Sequence, residues 1–147
     1  MSAARRKRLE RVQKVWEDDL HTRVAALAEV RARADVAHAD LEAARTRKRA
    51  AIAAKAELMG GASADEWRAR EAWIGTCGAR EDRAVLTLAA ADRAVAEAMG
   101  AVMAAQQKIE RLKLVLARIA KGEVDAERRV DRINEDEVSA RMSRGSA

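Results

Sequence analysis

A single strong helix break, Gly60-Gly61-Ala62-Ser63-Ala64-Asp65-Glu66, lies in the middle of this chain with a long helical pattern on either side. Adjacent glycines lose the most backbone entropy in a helix and readily take positive φ, so they end the first helix. Ser63 followed by Glu66 is a capping box that satisfies the free amides of a second helix starting at Ala64. The pattern predicts a chain that goes out, turns once and returns. The fold class expected is all-α, two long helices forming an antiparallel coiled-coil hairpin. The expected bounds within one domain are a helix over 4–58, a turn at 59–63, a longer, overhanging second helix over 64–141, and a frayed tail at 142–147.

Composition supports a thin core. Of the 147 residues 36% are charged, about a quarter are alanine, and Pro, Phe and Tyr are absent. Such a bias belongs to long helices and coiled coils rather than multilayer globular cores. The net charge of +5 suits acidic partners or nucleic acid. One cysteine excludes an internal disulfide and fits a reducing compartment. No apolar run approaches the ~18 residues of a membrane span. The basic start, Arg5-Arg6-Lys7-Arg8, is followed by no apolar stretch and so does not read as a signal peptide. A cytoplasmic chain is expected.

Heptad rows run along both helices. In the first, Leu9, Trp16, Arg23, Val30, Ala37, Ala44, Ala51 and Leu58 recur every seven, beside Gln13, Leu20, Leu27, Ala34, Leu41, Lys48 and Lys55. Arg23, Lys48 and Lys55 are tolerable there because their stems can lie along a seam while the charge stays wet. The second helix carries Trp67, Ile74, Glu81, Leu88, Val95, Val102, Ile109, Leu116, Glu123 and Val130. The row beside it is Cys77, Ala84, Ala91, Ala98, Ala105, Leu112, Ile119, Ala126, Ile133 and Ala140. Heptads sustained this long indicate a left-handed coiled coil. Gly75, Gly78 and Gly100 weaken the helix by up to ~1 kcal/mol each and mark bends or close approach.

Folding at the turn pairs residues whose numbers add to about 125. Leu58 then meets Trp67, Lys48 meets Cys77, Leu27 meets Ala98, Trp16 meets Ile109, and Leu9 meets Leu116. Large repeatedly faces small, as a close antiparallel pair requires. The first helix runs out opposite about residue 120, yet the second keeps Ile119, Val124, Val130 and Ile133. At ~1.5 Å per residue the helices would be ~80 Å and ~115 Å long. An overhanging single helix with an apolar stripe wants a partner, with Gly122 as a hinge where the overhang begins.

Catalytic chemistry finds no footing. His21 and His38 have no ligand set around them, and no phosphate loop, nucleophile elbow or carboxylate pair can be assembled. No enzyme activity, cofactor, metal or small-molecule substrate is expected. Cys77 reads as a small seam residue. The basic clusters Arg5–Arg8 and Arg45, Arg47, Lys48, Arg49 are interspersed with acids and lack aligned aromatics, which argues against nucleic acid. Trp73 falls at the margin of the seam near the turn, a position suited to an exposed docking anchor or to a staple that stiffens the turn.

These features resemble the FliJ/YscO-type stalk proteins of type III protein export. The shared traits are the chain length, the hairpin with a short turn, and a second helix opening with Trp67-x5-Trp73-Ile74. Two more are Lys108-Ile109-Glu110-Arg111-Leu112 and the ending Asp131-x4-Asp136-Glu137-Val138 with Arg141. The chain departs from the family in lacking Phe and Tyr, with Trp73 standing where an aromatic tip residue is expected. The resemblance implies a non-enzymatic central stalk that inserts in a hexameric export ATPase, links it to the membrane export gate, and handles export chaperones. It would put Trp67, Trp73, Ile74 and Cys77 at the gate. Arg5, Arg6, Lys7, Arg8, Ile119, Val130, Ile133, Asp136 and Glu137 would lie in the ring. The alternatives are a scaffold coiled coil that self-associates through the 119–140 stripe, and a basic coiled coil on nucleic acid.

Overall fold

In a computed structural model the chain forms two helices, α1 over Ser2–Glu57 (56 residues) and α2 over Ala64–Gly145 (82 residues). The structure describes residues 2–58 and 60–145, and no strand occurs among them. Alanine, leucine and long charged residues are strong helix formers, and no proline interrupts them.

The turn is built as its residues dictate. The Leu58 amide donates to the Lys55 carbonyl at 3.1 Å, and Gly61 donates to Leu58 at 3.4 Å. Gly60 has φ +102°, a left-handed conformation that a side chain would strain. The Ser63 hydroxyl then accepts the Glu66 amide at 3.2 Å, capping α2, while Asp65 and Glu66 complement the positive end of the helix dipole. Met59 of the expected turn lies outside the described residues.

The far end differs from expectation. α2 continues past Arg141 to Gly145, because neither Gly nor Pro occurs between Glu123 and Arg144 to stop it. Ser146 and Ala147 of the expected frayed tail lie outside the described residues.

Contacts divide into two units, Thr22–Val102, and Met1–His21 with Met103–Ala147. In Thr22–Val102 the helices pack antiparallel. Lys55 meets Glu71 at 2.8 Å, Lys48 meets Glu81 at 3.5 Å, and His38 meets Asp92 at 3.6 Å. The buried core here is Leu27, Ala34, Ala37, Leu41, Ala44, Ala51, Cys77 and Val102. In the other unit Ala105, Ile109 and Leu112 are buried, and Leu9, Val12, Trp16 and Leu20 are half-buried against them. The order is again antiparallel, with Trp16 beside Lys108 and Arg6 beside Glu123.

All eleven of these buried side chains fall on the heptad rows. Leucine and isoleucine contribute ~1.5–3 kcal/mol each when fully buried, and the alanines contribute less but let the backbones approach. The charged seam residues separate by place. Lys48 and Lys55 are half-buried and reach carboxylates on the facing helix, whereas Arg23 is exposed. Lys48 and Glu81, which each interrupt a row, meet one another. Close backbone approach at the α2 glycines is not observed. A Cβ at Gly75 or Gly100 would have nothing within 4 Å, and one at Gly78 would meet only Lys48 Cε at 4.0 Å. Gly122 also has open space around it inside unbroken helix.

Candidate functional site

Two groups of side chains stand out, one in each unit. Near the turn in Thr22–Val102, Trp67 is 37% exposed and Trp73 is 43% exposed. Trp67 lies on the seam row, but it opens α2, so no further layer of side chains covers it. Its ring lies 4.4 Å from the Lys55 ammonium, which also donates to Glu71 at 2.8 Å. About two turns of helix beyond Trp67, the Trp73 ring lies 5.4 Å from Arg80, using the i,i+7 spacing along α2. Each indole therefore carries a cation on part of its face and leaves the rest to solvent. An open hollow of about 630 Å³ adjoins Trp67, floored by Gly60, Gly61, Ala62 and Ala64 and walled by Leu58 and Arg68.

Ile74 is half-buried beside this surface. Cys77 is not part of it. At 1% exposure it is the most enclosed side chain of the chain's described residues, so its seam position prevails over the docking role that the resemblance gave it.

The terminal group lies in the other unit. Arg5, Lys7 and Arg8 are exposed, and Arg6 donates to Glu123 at 2.6 Å while lying 3.7 Å from Glu10. Ile119 is half-buried near this pair, on a shallow hollow shared with Ala3, Gly122, Ala126 and Glu127. Past Glu123 the helix loses its cover. Val124 is 45% exposed, Val130 56% and Ile133 58%, and Asp136 and Glu137 face solvent. The row that forms the core at Ile109 and Leu112 thus continues into water at Val130 and Ile133.

Sequence reasoning followed one face of α2 and passed over another. Met103 (55% exposed) and Leu114 (61%) line an open groove with Gln106, Gln107, Glu110 and Arg111. Their 103, 107, 110, 114 spacing is a legible helical stripe, masked by the stronger row alongside it. Among the described residues no three His, Cys, Asp or Glu side chains gather as a metal site, and no helix is long and apolar enough to cross a membrane.

The arrangement offers exposed apolar and aromatic surface for docking. The family model described as Flagellar FliJ protein matches residues 5–147. Neither a curated protein nor a solved structure gives a match. With the match running from Arg5 to the last residue, over nearly all of a two-helix chain, this protein belongs to the flagellar FliJ family.

Proposed function

We propose that this chain is the central stalk and coupling protein of a flagellar type III export apparatus. Its family is a non-enzymatic component of that cytoplasmic apparatus. In this reading the terminal unit enters the hexameric export ATPase, and Trp67, Trp73 and Ile74 meet the cytoplasmic part of the export gate. Export chaperones are handled as further partners, and no cofactor or small molecule takes part.

The observation that carries the reading is the uncovered row Val130–Ile133, which continues a packed core row into solvent. A ring with an apolar bore would cover that row, and the exposed basic residues Arg5, Lys7 and Arg8 would meet acidic side chains at its mouth. Ile119 and Asp136–Glu137 flank the same surface.

The test is turnover of the purified flagellar export ATPase with and without this chain. Stimulation that is lost in Ile133→Asp, a change at an exposed position that leaves the fold intact, supports the stalk. No change in turnover and no co-sedimentation with the hexamer would remove it.

A further inference from the structure

Beyond the Arg6–Glu123 contact α2 continues to Gly145, and every residue from Ala126 to Ser139 is exposed. Its seam row there is Ala126, Val130, Ile133 and Glu137, at the four-three-four spacing of a coiled-coil face. Arg129 and Asp136 flank that row. They are seven residues apart, so both lie on the same side of it, and a rise of ~10.5 Å separates them along the helix, too far to pair with each other. Neither has an ion-pair partner among the described residues.

This segment is self-complementary. A twofold axis between Val130 and Ile133, perpendicular to the helix, sets Val130 against the partner's Ile133 and Ile133 against the partner's Val130. In an antiparallel pair, flanks on the same side face each other. The same axis therefore brings Arg129 to the partner's Asp136 and Asp136 to the partner's Arg129. Ala126 comes opposite Glu137, and its small side chain leaves room for the glutamate stem. A parallel pair would instead bring each flank against the other chain's opposite flank, and Arg129 would not meet Asp136. Isologous closure of this kind makes a dimer and stops.

We propose that a second copy of this chain covers the exposed end of α2, antiparallel and centred between Val130 and Ile133. The inference goes beyond the stalk reading and does not rest on it. It makes a second copy and the ATPase ring competitors for one row. With two apolar pairs at its centre the contact is weak, micromolar or weaker, so that a ring can displace it.

Sedimentation equilibrium of the full chain over micromolar to millimolar concentration tests this, with far-UV circular dichroism to confirm folding. A monomer–dimer equilibrium is expected. Arg129→Asp and Asp136→Arg each place like charges together twice and weaken it roughly tenfold. The double variant R129D/D136R rebuilds both pairs with their signs exchanged and restores the dimer. A chain that stays monomeric, or single reversals without effect, overturns the proposal. So do single reversals that the double variant fails to rescue, the outcome expected of a parallel pair or another protein's groove. ATPase stimulation by a chain that never dimerises would overturn this proposal while leaving the stalk reading in place.

Discussion

Arg6 donates to Glu123 at 2.6 Å, joining the first turns of α1 to α2 across 117 residues of sequence. The pair closes the packed part of its unit. Its side chains are 40% and 26% exposed, so water screens much of the attraction. A double-mutant cycle on Arg6→Ala and Glu123→Ala, read by urea unfolding, should give a coupling energy below ~1 kcal/mol that shrinks with added salt. A coupling of several kcal/mol would mean that the pair is far less hydrated than its exposure indicates.

Ile109 and Ile133 share a side chain and a helix but differ in cover, at 4% and 58% exposed. Ile109→Ala empties a packed site and should cost ~2–5 kcal/mol. Ile133→Ala removes exposed surface and should change stability by no more than ~0.5 kcal/mol. Denaturant melts of the two variants at low protein concentration check the contrast. Equal costs would show that Ile133 is covered within the isolated chain.

Cys77, at 1% exposed, should resist alkylation in the native protein and react at the rate of a free thiol once the chain is unfolded. Mass-spectrometric labelling with iodoacetamide reads this directly. Fast native labelling would move Cys77 from the seam to the surface. Cys77→Leu should destabilise by ~1–3 kcal/mol through overpacking.

The fold was legible because heptad spacing encodes facing directly. Leu27, Ala34 and Leu41 on one row and Ala37, Ala44 and Ala51 on the other are buried where the spacing put them. What spacing does not encode is how far cover extends along a row. Trp67 and Ile133 occupy seam positions equivalent to Ile109 or Leu112, yet both are exposed, because the opposing layer has ended. Spacing also does not tell a wet cation from a seated one: Arg23 is exposed on its row, whereas Lys48 is half-buried with its ammonium 3.5 Å from Glu81. Of the candidate site, exposure was partly legible. Trp73 and the Val130–Ile133 row follow from position alone, whereas grouping Cys77 with the tip followed the resemblance and ran against its own row.

The heptad register that sets Leu27 opposite Ala98 predicts a crosslink. Leu27 is 8% exposed and Ala98 is half-buried, and nearby His38 lies 3.6 Å from Asp92, in keeping with the antiparallel order. In a Cys77→Ala background, cysteines at 27 and 98 should oxidise to an intramolecular disulfide, seen as a mobility shift on non-reducing gels. Cysteines at 27 and 91, one heptad away, should not. Equal yields from the two pairs would indicate a seam that slips by a heptad.

Gly75 and Gly100 sit inside α2, and a Cβ at either would have nothing within 4 Å. Neither position needs glycine for space, and neither has positive φ, which Gly60 alone shows among the described residues. Alanine there restricts the unfolded chain without a clash in the folded one. Gly75→Ala and Gly100→Ala should therefore each raise stability by ~0.5–1 kcal/mol, and their sites are far enough apart along the helix for the effects to add. Thermal melts of both single variants and the double variant measure this. A destabilised Gly100→Ala would reveal a bend or close approach in solution that the packing around it does not require, while Gly60→Ala, with φ +102°, should lose stability in the same assay.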